Sequence, residues 1–522
     1  MKVNLKETLA WKKLTAYFLQ IKDKRITDYF EDEERMQKFS FDFNGIYFDF
    51  SKHRWNQSLL NHFVDLADEM DLADAIQQMF AGNKINITEN RAVLHTALRQ
   101  MNDEPVMVDG TDVIPLIRDA QKRIKSFAGQ IISGQWKGVT GKSITDVVNI
   151  GIGGSDLGPK MMVEALSSYK NHLNIHFLSN VDPFQLDEIL QKIDLETTLF
   201  IIVSKSFSTQ ETLTNAKNIQ QLYIDKYGKS SVQNHFATVS TQINAAQSFG
   251  IHPDNVFPMW DWVGGRFSLW SPAGISIALA LGYDNFEKIL QGAHRMDLHF
   301  KNASFDQNLP VLLAFLTLLY NNLYGFQTET YIPYAEKLKY LPAYLQQLFM
   351  ESTGKSVNLN NEPVTWQTGN IVWGNTGTNA QHSFFQLLHQ GTKIVPVHFM
   401  AEKNNTTTEF KQNHRILLAH MLAQSEALMT GEKNAIPYKN FKGNRPSSVI
   451  LLDEINPESI GSLVALYEHK VFTEAWLWQI NAFDQFGVEL GKKLAGKILE
   501  ELHMSGEDHH DVSTRELIKR IQ

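Results

Sequence analysis

Cysteine is absent from the 522-residue sequence. That absence excludes disulfides, cysteine-ligated zinc, iron–sulfur clusters and a thiol nucleophile. A basic excess is also missing: 49 Lys and Arg stand against 57 Asp and Glu, a formal charge of −8. A chain of pI near 6.1 is poorly suited to general nucleic-acid binding. Long apolar runs are lacking too. The longest, Leu309–Tyr320, contains Pro310 and falls well short of the roughly 20 residues needed to span a bilayer, so no membrane partner is expected. Met1-Lys2-Val3-Asn4-Leu5-Lys6-Glu7 carries charge early and has no apolar signal core, which makes the cytoplasm the expected location. No short-period repeat occurs, which argues against solenoids and propellers.

What is present suits a globular protein. Hydrophobic residues make up 43% and charged residues 20% of the chain, and the length corresponds to two to four domains at roughly 150 residues each. Val147–Ile150, Ile175–Leu178, Leu199–Ser204, Phe236–Ser240 and Asn255–Phe257 read as buried strands separated by helical patterns. This alternation predicts parallel βαβ units in a doubly wound sheet, over about 112–276. A second series, Thr330–Tyr334, Asn370–Trp373, Ile394–Phe399 and Val449–Leu452, predicts a second parallel sheet. Its intervening helices are expected at Leu341–Ser352, His382–Gln390, Phe410–Met429 and Glu458–Ile480. The first 110 residues read as mostly helical and are assigned with 277–522 to a discontinuous second domain.

Two loops at strand ends have the chemistry to hold a phosphate. Gly151-Ile-Gly-Gly-Ser-Asp-Leu-Gly158 lets backbone approach an anion at the start of a helix. It departs from the dinucleotide fingerprint, since Asp156 occupies the third glycine position. A tight turn without a ligand remains the alternative. Ser204-Lys-Ser-Phe-Ser-Thr-Gln-Glu211 gathers hydroxyls and an amine at another strand's carboxyl end. Ser208 and Glu211 also fit a capping box. Gly141-Lys142-Ser143 and Gly354-Lys355-Ser356 imitate the end of a P-loop but lack its upstream glycine, so neither reads as a nucleotide site.

Four further segments carry reactive groups. Arg266 follows Gly264-Gly265, a turn that leaves a guanidinium free to face an anion. Gln347 and Glu351 lie four residues apart in a helical pattern ending at Gly354, which suits a general base, although a solvated glutamate is the blander reading. His382 follows Gly374-Asn-Thr-Gly-Thr-Asn-Ala-Gln and is expected near a helix start. Its seven-residue spacing to His389 is wrong for a metal pair, and no metal is expected. Gln485 and Lys492 are expected on one face of a single helix, where an exposed lysine is the bland alternative.

Taken in order, these segments resemble the glucose-6-phosphate isomerase (phosphoglucose isomerase) family. Gly264-Gly-Arg-Phe-Ser-Leu-Trp-Ser271 is similar to one family signature and Phe483-Asp-Gln-Phe-Gly-Val-Glu-Leu-Gly-Lys492 to the other. Gly82-Asn-Lys-Ile-Asn-Ile-Thr-Glu-Asn-Arg-Ala-Val-Leu-His95, both phosphate loops, 346–355, Gly377-Thr-Asn-Ala-Gln-His382 and 511–518 extend the likeness. The resemblance implies two sugar-isomerase (SIS) α/β domains with a helical N-terminal segment and a C-terminal arm. It further implies a homodimer, and interconversion of glucose 6-phosphate and fructose 6-phosphate without a cofactor. It assigns phosphate binding to Ser155, Ser204, Lys205, Ser206 and Thr209. Ring opening falls to His382 and Lys492, proton transfer between C2 and C1 to Glu351, and stabilisation of the enediolate to Arg266. Gly154, Glu211, Gln347 and Gln485 would position substrate and loops, and His382 would come from the partner subunit. Ser206 and Ser208 replace the family's usual threonines, and Asn375-Thr376 a commoner Glu-Pro pair. Two other readings are a non-catalytic sugar-phosphate regulator, which would not need the reactive residues together, and a nicotinamide dehydrogenase, which the broken fingerprint weakens.

Overall fold

The computed structural model describes residues 4–404, 409–503 and 510–522. Within 146–257 five strands form one parallel sheet in the spatial order Asn174–Leu178, Asp146–Ile150, Thr198–Val203, Phe236–Val239, Val256–Phe257. Every residue of Asp146–Ile150 and Thr198–Val203 is buried, as strands covered by helices on both faces require. The first strand in sequence lies between the second and third, so the winding direction reverses there. Such a reversal opens a crevice at the carboxyl ends of the strands. The two strands beside it are the ones that run into the loops at 151–158 and 204–209.

The second sheet has six strands, in the order Ser40–Phe43, Ile46–Asp49, Ser447–Leu452, Val397–Glu402, Thr328–Tyr334, Ile371–Trp373. Its last four are parallel, as the alternation predicts. The first two are an antiparallel hairpin added to Ser447–Leu452, in a region expected to be mostly helical. The hairpin turns at Asn44-Gly45, both with positive φ, the dipeptide that the tightest hairpin turn favours. One strand is also displaced: the run expected at Ile394–Phe399 begins at Val397, because Pro396 has no N–H for the ladder, and continues to Glu402.

Helix Pro457–Leu477 is buried on almost all sides and packs along helix Tyr283–Asn302. It starts at an Asn456 cap with proline in the first turn, an arrangement that satisfies the free N–H groups. Past its end Gln479 takes φ 53°, turning the chain sharply into Ile480–Ala482. The apolar run Leu309–Tyr320 forms the fully buried helix Leu309–Leu318 and the start of a π turn, Leu319–Leu323. Among the described residues no helix is long and apolar enough to cross a membrane.

The chain divides into two units, Met1–Ala482 and Phe483–Gln522. The second holds helices Glu489–His503 and Val512–Ile521. Asp511 caps the latter, accepting from the backbone N–H groups of Ser513 and Thr514.

Candidate active site

The loop after strand Asp146–Ile150 is held from below by Asn149, whose buried amide donates to the Ser155 carbonyl at 3.0 Å. Gly154 lies flush against the turn before Arg266: a Cβ there would stand 2.1 Å from the Gly265 oxygen and 2.7 Å from the Arg266 nitrogen. Gly153, at φ +61°, would bring a Cβ to 3.1 Å from Gln347 Nε2. Two glycines therefore join the loop at 151–158 to both Arg266 and Gln347. Asp156 begins the helix that follows and is buried, with Oδ1 unpartnered among the described residues. Burial pushes its pKa up to about 6, against the lowering effect of Lys160.

In the second loop Ser204 donates to Thr209 at 3.3 Å, and the Ser206 and Ser208 hydroxyls meet at 2.7 Å. Helix Gln210–Tyr227 is preceded by Thr209 in the cap position, with no side-chain capping bond. The expected capping box of Ser208 and Glu211 is thus absent, because Ser208 lies one residue too early and is engaged with Ser206. Glu211 is half-buried in the first turn. The Lys205 side chain reaches the segment 261–263. Its ammonium donates to the carbonyls of Asp261 and Val263 at 3.2 and 3.3 Å, while Leu94 N–H takes the carbonyl between them, Trp262, at 3.0 Å. Burial lowers the Lys205 pKa; Asp261 opposes that and Arg91 adds to it.

Arg266 and Glu351 meet at the other side of the glycine contacts. Gln347–Glu351 is a π turn continuing the α-helix Leu341–Gln346. The irregular turn still lets Gln347 Nε2 donate to Glu351 Oε2 at 3.1 Å. Such widened turns recur at functional sites. Arg266 Nη1 lies 3.4 Å from the same Oε2, with 1% of the Arg266 side chain exposed and 22% of the Glu351 side chain. The guanidinium is thus walled in while the carboxylate can be reached. Two further anchors hold it: Nε donates to Ser352 Oγ at 2.6 Å, and Nη2 to the Ala482 carbonyl.

Sequence reasoning missed several supports. Lys355, set aside as a false P-loop lysine, donates to the carbonyls of Glu351, Ser352 and Asn481 at 3.1, 3.1 and 3.0 Å. A cation on the last carbonyls of a helix is favourable, and a lysine after a helix-ending glycine is the signal that would have found it. Ser352 follows Glu351 directly, and only the fold reveals its role.

The structure thus brings together Gly154, Arg266, Gln347 and Glu351, and separately Ser204 with Thr209. Ser155 lies half-buried in the first loop. His382 ends the short helix Gly377–Gln381 rather than starting the next, which begins at Phe385. The expected helix His382–Gln390 is interrupted at Phe384, whose φ of −132° is not helical. His382 is exposed. Gln485 and Lys492 belong to the C-terminal unit. Gln485 precedes the 3₁₀ turn Phe486–Val488 and Lys492 lies in the first turn of helix Glu489–His503, so they do not share one helix as expected.

The chain as a whole is similar to known proteins. A model of the phosphoglucose isomerase family matches residues 49–518. A glucose-6-phosphate isomerase of Christiangramia forsetii is 47% identical over 537 residues, covering 99% of each chain. The crystal structure of a glucose-6-phosphate isomerase from Chlamydia trachomatis D/UW-3/Cx is similar at a TM-score of 0.90, with 34% identity and 100% of both chains covered. A protein of Thermus thermophilus shares the fold at a TM-score of 0.62 and 23% identity, over 83% of this chain and 96% of that one. By the extent of the family match and the full-length identity to a relative, the chain belongs to the phosphoglucose isomerase family.

Proposed function

We propose that the chain catalyses the reversible isomerisation of glucose 6-phosphate and fructose 6-phosphate, a step of glycolysis and gluconeogenesis, in the cytoplasm. The observation that carries this is the accessible Glu351 carboxylate facing a buried, triply anchored Arg266. Aldose–ketose exchange needs one base that reaches two adjacent carbons, beside a fixed positive charge for the enediolate that forms between them. Glu351 takes the proton from C2 and returns it to C1. Arg266 stabilises the cis-enediolate and cannot surrender its own proton.

Phosphate binding falls to Ser155, Ser204, Lys205, Ser206 and Thr209, with Gly154 letting the first loop pack against the Arg266 turn. Anchoring a group remote from the reacting carbons supplies binding free energy that holds the open chain against the base. Gln347 steadies Glu351, and Gln485 and Glu211 position the sugar and the second loop. His382 and Lys492 open the ring by moving a proton between O5 and O1. The exposure of His382 on its own protomer fits donation across a homodimer, in which it completes the partner's site. The five-stranded sheet falls within 112–276, and the other takes strands from both 1–111 and 277–482. This supports a small domain at 112–276 and a discontinuous large one.

The test is a coupled assay of purified protein with fructose 6-phosphate and no added metal, run beside Glu351→Gln. Wild type should turn over and the variant should lose at least about 1000-fold in kcat, as removal of an essential base does. An inactive wild type that still binds the sugar phosphate indicates the regulator, and full activity in the variant removes Glu351 from the mechanism.

A further inference from the structure

The segment 82–95 supplies none of the groups assigned to the reaction, yet an amide ties it to the Arg266–Glu351 side of the site. Asn481 is buried and donates from Nδ2 to Asn86 Oδ1 at 2.9 Å and to Thr88 Oγ1 at 2.6 Å. Asn86 is itself held: its Nδ2 donates to Glu89 Oε2 at 2.8 Å, Glu89 Oε1 accepts from Arg91 at 2.9 Å, and the backbones of Asn86 and Arg91 exchange two hydrogen bonds of 3.1 Å. The acceptors for Asn481 therefore sit on a closed, internally braced loop.

On its backbone side Asn481 faces the chemistry. Its carbonyl accepts from Lys355, the lysine that also holds the Glu351 carbonyl. The next carbonyl, Ala482, accepts from Arg266. Two consecutive carbonyls thus receive the two cations that flank Glu351, one on its backbone and one on its carboxylate. The chain enters this stretch through the positive φ of Gln479, held by backbone bonds from Ile480 N–H to the Ala475 carbonyl (2.9 Å) and from Leu359 N–H to the Gln479 carbonyl (2.7 Å), to which Asn481 adds side-chain bonds.

We propose that Asn481 is a positioning residue for the Arg266–Glu351 pair, with Asn86 and Thr88 as its anchors. The inference rests on the isomerase reading of the site. The amide fixes the height of the carbonyls of residues 481 and 482, and these fix the guanidinium against the carboxylate. Displacement by a fraction of an ångström shifts the guanidinium, which is assigned no part in holding the phosphate, so it acts on the chemical step and spares substrate capture.

The experiment compares Asn481→Ala, Thr88→Val and Thr88→Ser with wild type in steady-state assays on fructose 6-phosphate. Two competitive probes accompany them: inorganic phosphate, and a five-carbon sugar-acid phosphate whose carboxylate imitates the enediolate oxygens. Asn481→Ala should lower kcat by about 10- to 100-fold with KM within about twofold. It should weaken the sugar-acid probe in parallel and leave inorganic phosphate unchanged. Thr88→Val removes an acceptor and should show the same pattern more weakly, whereas Thr88→Ser keeps the hydroxyl and should match wild type. An active wild type whose Asn481→Ala variant keeps its kcat, or loses phosphate affinity as much as turnover, overturns the inference alone. If Asn481→Ala does not fold, the threonine pair decides, and equal kcat in Thr88→Val and Thr88→Ser overturns it. A wild type without isomerase activity overturns the function and this inference together.

Discussion

Arg266 Nη1 lies 3.4 Å from Glu351 Oε2, and the two residues come from segments 85 positions apart in the chain. The guanidinium is fixed on two more sides, by Ser352 Oγ and the Ala482 carbonyl. Lysine carries the same charge but cannot make a planar fork, so the three anchors are not interchangeable with an ammonium. Arg266→Lys should therefore lower kcat by about 100- to 1000-fold while KM changes little, as loss of a transition-state donor does. Initial-rate measurements on both substrates check this.

Lys205 should give the alkaline side of substrate binding a distinct pH dependence. Burial holds its pKa below the ordinary lysine value. In its proposed role the protonated form binds the phosphate dianion, so KM should rise as pH climbs through that lowered value, earlier than for an exposed lysine. Arginine stays charged throughout this range, so Lys205→Arg should flatten the rise at the cost of a higher KM near neutral pH. A pH series of kcat/KM for both proteins is the measurement.

Gly154 has no room for a methyl group. With the Gly265 oxygen at 2.1 Å and the Arg266 nitrogen at 2.7 Å from its would-be Cβ, Gly154→Ala must push the first phosphate loop away from the Arg266 turn. The expected result is about 1–3 kcal/mol of lost stability, as overpacking gives, together with a loss of kcat/KM larger than that of Arg266→Lys. Denaturant melts and rates measured on the same preparation separate the two effects.

A buried ion cluster predicts the acid behaviour of the fold. Arg99 pairs with Asp297 at 2.6 Å and with Glu468, which also accepts from Trp270 Nε1 at 2.8 Å. Burial raises the Asp297 pKa, but Arg99 and His469 outweigh it and hold the group at about 2. At Glu468 burial prevails and pushes the pKa up to about 7. The signs follow from linkage. Asp297 stabilises the fold above its unfolded pKa, and roughly 2–3 kcal/mol is lost as pH falls from about 4 to 2. Glu468 acts in the opposite direction, its contribution being fully present below its unfolded value near 4.5 and lost as pH rises through about 7. Arg99→Met should cost about 3–5 kcal/mol near neutral pH and flatten the acid limb, since two buried carboxylates lose their cation. Urea melts across pH 2–8 test both statements.

The legible parts of this structure are those encoded by local pattern. Runs such as Leu199–Val203 are apolar throughout, so they announce buried parallel strands, and the loops after them can be located within a residue or two. The hairpin at Ser40–Asp49 carries a local signal in Asn44-Gly45, but reading the first 110 residues as mostly helical passes over it. Arg266 and Glu351 carry only weak local signals, a Gly-Gly turn and a helix-end carboxylate, and the likeness to the family is what singles them out. Their mutual contact carries none, because no local rule connects positions 85 residues apart. The same holds for Asn481 with Asn86, and for Lys205 with the carbonyls of Asp261 and Val263. These are tertiary contacts between a side chain and a distant backbone or amide, and neither composition nor periodicity carries them. The break before Phe385, which leaves His382 at the end of one helix, likewise has no proline or glycine to mark it.

Solvent exchange at the reacting carbons tests the central claim, that Glu351 moves the proton while Arg266 holds the enediolate, most directly. Fructose 6-phosphate incubated with the protein in deuterium oxide and followed by proton NMR should lose one C1 hydrogen signal, and glucose 6-phosphate should acquire deuterium at C2, because a proton held on Glu351 can be replaced from solvent. With Glu351→Gln both exchanges should cease. Exchange at the wild-type rate in the variant, or isomerisation by wild type over many turnovers with no deuterium incorporated, would contradict the account.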